Sequence, residues 1–376
     1  MAIYLSNQDV DRLLTMKGCM KSIEGIYKEL AIGDAVYRHR IDVFVPPGKK
    51  NSYFRWGTME GGSRKCGFAI RMKSDMVYWT RWEGGKTEEK YCIKPGLFCG
   101  FILLFSVKNG EPLAMINDGV LQHMRVGACA GLGVKYLARA NASTVGMIGS
   151  GGMARTYLAA FCEVRKIKKV KVYSPTQANR QKYAKEMAKA LSLDVEPVDS
   201  AEKAVRGTDI VATCTDAISP VIKKEWIEPG MHLTDVNGSD IPDDVIARCN
   251  VVVRLGEQTL YAEIDKKRNR HSAQIDYMTH GIFAYVAGQP DEIKSIPKTK
   301  LRKIYSQAAP SVYLVDIISG KNKGRRKASD ITFFDNRGTQ GLQFAAVGKH
   351  VYDIARARGV NKKQIPTEWF IQDIRD

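Results

Sequence analysis

The chain has 376 residues, 44% hydrophobic and 26% charged, which is the make-up of a soluble globular protein with room for two cored domains. Its longest apolar run, near 98–107, is too short to cross a bilayer, and "MAIYLSNQDVDRLL" lacks a basic-then-apolar export pattern, so a cytoplasmic location and no membrane partner are expected. The net charge of +18 lies in helix-like surface stretches and one loop, "GKNKGRRKAS", rather than in an arm with interleaved aromatics; this argues against nucleic acid and for an anionic substrate and cofactor. Eight scattered cysteines show neither a CxxC nor a zinc spacing, so free thiols and no metal are expected.

Taken in chain order, residues 1–125 open with a helix, "SNQDVDRLLTMKGCMKSIEGIYKELAIG". Strand-like pieces with period-two alternation follow, "CGFAIRMKSDMVYW" and "CGFILLFSV" among them. After the turn "NGEPL", "GVLQHMRVGACAGLGVKYLA" reads as a long helix. Residues 126–328 then alternate short apolar strands with amphipathic helices, which predicts an α/β unit with a parallel, doubly wound sheet and right-handed crossovers. Residues 329–376 add a strand, "DITFFDN", and a helix, "GLQFAAVGKHVYDIARARG"; this tail is expected to return to the first unit and make it discontinuous.

Within the α/β part, "MIGSGGMA" supplies Gly149, Ser150, Gly151, Gly152, Met153 and Ala154. Gly149, Gly151 and Ala154 make a GxGxxA pattern between an apolar strand and a helix, which fits a dinucleotide pyrophosphate on the helix N-terminus. The next strand should end in an acid to hold a ribose 2′-hydroxyl. It ends instead in "VYSPTQANR", where Ser174, Thr176 and Arg180 suit a 2′-phosphate, favouring NADP with NAD possible. Thr213 and Thr215 end a later strand, and Val236, Gly238 and Asp240 follow the one after it, where open α/β sheets bind ligands. Asp240 reads two ways: a proton-exchanging group beside a reacting amine, or a helix cap in "GSDIPDD".

These segments in this order, with "MRVGACAGLGVKYLA", "VATCTDAISPVI", "NGSDIP" and "GRRKASDITFFDNRG", resemble the ornithine cyclodeaminase/μ-crystallin family over nearly the whole chain. The resemblance implies a Rossmann-type domain plus a discontinuous α+β substrate and dimerisation domain, a homodimer, and hydride transfer at the α-carbon of a small amino or imino acid. It also implies that Arg40 and Arg125 hold the substrate carboxylate, that Lys73 or its rival Arg71 faces the substrate, that Asp240 handles the amine nitrogen, and that Met59 lines the pocket. Two guanidiniums suit a carboxylate, and a lysine with an aspartate suits the proton traffic of an imine.

Three departures stand out. Leu97 lies nearest to where the cyclodeaminases carry a substrate-facing threonine, "YWTRWEGGKTEEKYC" is an insertion, and Phe344 stands where many relatives carry an aspartate. The aromatic set Trp79, Trp82, Tyr91 and Phe98 reads either as reshaping the pocket or as hairpin packing, with packing favoured. The leading expectation is an NAD(P)-dependent imine reductase or amino-acid dehydrogenase. The alternatives are a cyclodeaminase-type lyase that keeps NAD bound and releases ammonia, and a non-catalytic crystallin-like binding protein.

Overall fold

The computed structural model describes residues 1–48, 51–82, 85–256, 273–275, 283–295, 312–360, 364–369 and 371. The chain begins with β1 (Ala2–Leu5), α1 (Asn7–Leu13) and α2 (Met16–Ala31). The opening run, expected as one helix, is two, because Leu14 turns extended and the Thr15 side chain starts a second helix by accepting from Gly18 N–H. Then come β2 (Ala35–Tyr37), β3 (Ile41–Val45), β4 (Ser52–Ser63), β5 (Gly67–Trp82), β6 (Gly85–Tyr91), β7 (Cys99–Phe105) and β8 (Pro112–Asn117). Antiparallel β3, β4, β5, β7 and β8 form the middle of an eleven-stranded sheet, with β1 parallel to β8 and β6 paired to the far half of β5.

The alternation along β4 and β5 is inverted relative to a simple amphipathic strand. Arg55, Gly57 and Met59 lie opposite Asp75, Lys73 and Arg71, and all the charged members of these pairs are buried. Trp56, Met72, Met76, Phe101 and Leu103 fall on the other, half-exposed face.

Helix α3 (Asp118–Leu137) crosses to the second sheet. It packs so closely on the following helix that a Cβ on Gly127 would sit 2.5 Å from Thr156 O. The second sheet takes β9 (Thr144–Ile148), α4 (Gly152–Val164), β10 (Lys169–Tyr173), α5 (Gln177–Leu191), β11 (Asp194–Pro197), α6 (Ala201–Val205), β12 (Ile210–Thr213), β13 (His232–Asp235), α7 (Asp243–Ile246) and β14 (Val251–Arg254). Its parallel core order β11-β10-β9-β12-β13 is the doubly wound arrangement, with the switch point between β9 and β12.

The remaining elements are β15 (Ala273–Ile275), β16 (Phe283–Val286), α8 (Pro290–Ser295), β17 (Val312–Tyr313), α9 (Leu314–Ile318), β18 (Thr332–Asp335), α10 (Gln340–Ala357) and β19 (Gln364–Ile365). The sheets do not follow the boundaries drawn at 125 and 328. β16 runs parallel to β3 in the first sheet, and β18 lies between β13 and β14 in the second. After β18 the chain goes back to the first sheet again: α10 packs on α2, β4 and β5 and contributes Leu342, Phe344 and Val347 to the largest apolar cluster. Among the described residues, no helix is long and apolar enough to cross a membrane.

Candidate active site

The glycine turn is shaped by close approach and open space. Gly149 has φ +100, and a Cβ there would lie 2.2 Å from Cys214 O, so the turn and the tight β9–β12 contact both exclude a side chain. Gly151 begins α4, and a Cβ there would meet nothing within 4 Å. Helices α1, α2, α3 and α6 have side-chain caps, whereas α4 has neither a side-chain cap nor an acid in its first turn. Its first N–H groups therefore face an open cradle, which fits a pyrophosphate. Ala154 is fully buried under α4, Met153 packs on the β9–β10 core, and a Cβ on Gly152 would meet the His123 ring.

Ser150 Oγ lies 3.0 Å from Ser174 Oγ, tying the turn to the end of β10. There, Arg180 donates from Nη1 to Ser174 O (2.9 Å) and Pro175 O (3.0 Å), with its guanidinium 5.8 Å from the Tyr173 ring. Helix α5 begins at Thr176 with no side-chain cap and no acid in its first turn. A cleft of about 280 Å³ opens beside it, lined by Gln177, Arg180, Gln181, Val198, Asp199 and Lys203.

At the end of β12 and β13, Thr213 is fully buried, Val236 donates its N–H to Thr213 O (3.2 Å), and Gly238 has φ +82 against the Arg337 guanidinium. Asp240 is fully buried. Its Oδ1 accepts from Thr215 Oγ1 (2.6 Å) and Asn237 Nδ2 (2.9 Å), while Oδ2 takes no hydrogen bond. Helix α7 is capped at Pro242 without a side-chain bond, so Asp240 does not serve as its cap. Burial raises the Asp240 carboxyl from 3.8 to about 7; the Thr215 hydroxyl opposes this and the neighbouring Asp235 adds to it. Such a carboxyl exchanges a proton near neutral pH.

The inward face of the first sheet carries a dense ion cluster. Arg40 holds Asp42 in a bidentate pair (2.8 and 2.7 Å), and Arg55 bonds both Asp75 and Glu88 (2.9 Å each). Lys73 Nζ donates to Asp75 Oδ2 at 2.6 Å, and Arg71 Nε donates to Asp118 Oδ2 at 2.6 Å. Burial, then Arg40 and Arg55, push the Lys73 ammonium well below its ordinary value, against the pull of Asp75 and Asp42.

Arg125 differs from these cations. It is 7% exposed and, among the described residues, bonds only neutral oxygens, Gln343 Oε1 (2.8 Å) and Gln122 Oε1 (2.8 and 3.2 Å). Burial pushes it down to about 10. The Phe344 ring, fully buried, stands 4.9 Å from the Arg125 guanidinium and 5.5 Å from that of Arg71.

The structure thus sets Arg40, Arg71 and Lys73 on one sheet face, with Met59 opposite Arg71 and both guanidiniums of Arg71 and Arg125 on Phe344. Among the described residues it gives Arg40 and Arg71 carboxylate partners and gives Arg125 none. Leu97 and Phe98 are exposed, Trp79 packs edge-on against Tyr53 and Tyr91 against Tyr78, and the Trp82 side chain lies outside the description. Sequence reasoning missed Asp42, Arg55, Asp75, Glu88, Asp118, Gln122, Asn237 and Gln343. The signal for some was present: Arg71, Lys73 and Asp75 alternate along one strand, but alternating charge reads as a solvated face. Among the described residues, no group of three or more His, Cys, Asp or Glu side chains could hold a metal.

Comparison with known proteins finds relatives over most of the chain. The chain is 26% identical over 362 residues to the alanine dehydrogenase of Archaeoglobus fulgidus, covering 96% of this chain and 97% of that one. It is 29% identical over 269 residues to a Δ1-pyrroline-2-carboxylate reductase of Bacillus cereus, covering 70% and 73%. The solved Δ1-pyrroline-2-carboxylate reductase of Thermococcus litoralis, in complex with NADH and L-proline, superposes with a TM-score of 0.72 at 26% identity, covering 95% of this chain and 98% of that one. The model of the ornithine cyclodeaminase/mu-crystallin family matches residues 3–359, and the chain belongs to that family.

Proposed function

We propose that the chain reduces the C=N bond of a small α-imino acid with a nicotinamide dinucleotide, or oxidises the matching amino acid in reverse. It is an NAD(P)-dependent oxidoreductase of amino and imino acids, as are its relatives. The observation that carries the finer reading is Arg125, a buried guanidinium with no carboxylate among its described partners. Such a charge is costly to bury alone and is complemented by a substrate carboxylate. Bound in the cradle at Gly151, the dinucleotide supplies or accepts the hydride.

The protein's own groups do the rest. Arg125 anchors the carboxylate and so fixes the α-carbon, with Arg40 as the expected second donor. Asp240 in its protonated form donates a proton to the imine nitrogen, and its carboxylate takes one from the amine in reverse. Lys73, its ammonium destabilised by burial, is the second proton-handling group.

NADP is the preferred cofactor in this reading, supported by the absence of a carboxylate after β10, the uncapped N-terminus of α5 and Arg180 beside it. A homodimer is supported by the half-exposed apolar sheet face of Trp56, Met72, Phe101 and Leu103. A cyclodeaminase reading would need a partner for a second substrate amine, and Phe344 provides none.

The test is to mix the protein with NADPH or NADH and a panel of cyclic imino acids and α-keto acids with ammonia, following loss of the reduced cofactor. Turnover with an imine is expected. Ammonia release from ornithine or lysine with NAD, and no reductive turnover, would instead support the lyase.

A further inference from the structure

The β5–β6 hairpin, whose outer part reads in the sequence as an insertion, touches both halves of the site. Thr87 forms an antiparallel bridge with Ala217, in the connection that follows β12. Ala217 donates its N–H to Thr215 Oγ1 (3.1 Å) and accepts at its carbonyl from Asn237 Nδ2 (2.8 Å), and both Thr215 and Asn237 hold Asp240. The next residue, Glu88, is 6% exposed, although its strand is the outer member of a hairpin. Its Oε1 accepts from Arg55 Nη1, Arg55 Nη2 reaches Asp75 Oδ2, and that same oxygen receives the Lys73 ammonium. Consecutive residues of one strand therefore reach the networks around Asp240 and Lys73.

Burying a glutamate is costly unless something fixed requires it. Here the requirement is the balance of charge around Lys73. Facing it are Asp75 and Arg71 from β5, Arg55 from β4, Asp42 from β3 and Arg40 just before it. Asp118, at the start of α3, lies against Gly100, the residue opposite Lys73 on β7. Asp75 alone cannot balance both Lys73 and Arg55, and Glu88 supplies the second carboxylate.

We propose that Glu88 is a positioning residue: by giving Arg55 a second carboxylate it lets Asp75, which Arg55 and Lys73 share, balance Lys73, and thereby places the Lys73 ammonium and sets its readiness to give up a proton. The proposal rests on the reading of Lys73 as a proton-handling group at the substrate.

The experiment is a double-mutant cycle on single-turnover hydride transfer with Glu88→Gln, Lys73→Met and the double variant. Glutamine keeps an acceptor for Arg55 but leaves its charge less compensated. Lys73 should then lose its proton about one pH unit lower, a shift separate from the decline governed by Asp240, with a rate loss of about tenfold. In the Lys73→Met background, Glu88→Gln should cost nothing further. Glu88→Asp should restore most of the rate, and NADH titration should show unchanged cofactor binding, which certifies the fold. Should Glu88→Gln lose NADH binding, the cycle is run with Glu88→Asp, whose smaller loss must likewise vanish in the Lys73→Met background.

An equal loss in both backgrounds would overturn the proposal and leave Glu88 a structural role only. A near-normal rate for Lys73→Met would remove the Lys73 reading itself, and the proposal with it.

Discussion

Asp240→Asn separates the catalytic from the structural cost of one carboxyl. In the folded chain the group titrates at about 7, against 3.8 for an unperturbed aspartate. A carboxyl raised on folding contributes stability that is fully present below the unfolded value and is lost as pH rises through the folded one. The full loss corresponds to about 4 kcal/mol, of which about 3 kcal/mol falls between about pH 5 and about pH 8. Asparagine carries no charge and escapes this loss. Its oxygen keeps the bonds from Thr215 and Asn237, but its NH2 replaces the unpartnered Oδ2 and costs about 1–3 kcal/mol as a buried donor.

The variant should therefore be less stable than the parent at about pH 5 and more stable at about pH 8, as measured by urea unfolding at both. Its rate should fall by roughly 10²–10⁴ at either pH. In the parent, the reductive rate should decline as pH rises through about 7, and the oxidative rate should climb through the same value. Parallel stability curves for parent and variant, with a near-normal rate, would refute both the buried charge and the catalytic role.

Arg125→Ala should lower kcat/KM by about 10²–10³, the loss of two charge-assisted hydrogen bonds, while NADH titration stays normal. Loss of cofactor binding as well would mean that Arg125 supports the fold instead. Arg180→Ala should weaken NADPH more than NADH in parallel titrations, and an equal effect on both would end the case for a 2′-phosphate site. Gly149→Ala should cost at least about 2 kcal/mol and abolish cofactor binding, because it forces a side chain into φ +100 and onto Cys214 O; an unchanged melting midpoint would contradict that geometry. Light scattering should give twice the chain mass, and replacing Met72 and Phe101 with charged residues should halve it.

The α/β half was legible because its strands are apolar on both faces and its helices amphipathic, so period and length agree along 144–254. The glycine fingerprint worked for the same reason: Gly149 is demanded by φ and by contact with Cys214 O, both consequences of a strand–turn–helix readable in one dimension. The first sheet was legible as strands but not as faces. In "RMKSDM", Arg71, Lys73 and Asp75 look like the wet side and Met72 and Met76 like the dry one, and the structure reverses them. What decides the matter is the set of partners brought from β3, β4, β6 and α3, and no local pattern encodes them. The position of β18 between β13 and β14 was likewise unreadable, since it depends on a strand entering a sheet from about eighty residues downstream of its neighbour.

The buried cluster also supports the proposal that the site takes a carboxylate. Arg40, Arg55, Arg71, Lys73 and Arg125 face Asp42, Asp75, Glu88 and Asp118, so the described cluster carries one cation in excess. Buried ion pairs add little net stability over apolar packing, and the proposed function gives these nine ionisable groups, seven from the first sheet and its β3 approach and two from α3, a role in binding. Each pair settles its own charge, and the excess falls on Arg125. The Phe344 ring at 4.9 Å offsets part of it, on the order of 1–2 kcal/mol for a desolvated guanidinium, where an aspartate at 344 would have neutralised it outright. An aromatic neighbour keeps Arg125 oriented and dry without competing for it. In the proposed function the charge then stays available for a substrate carboxylate, and a bound carboxylate would stabilise the folded protein by an amount set by its concentration relative to its Kd.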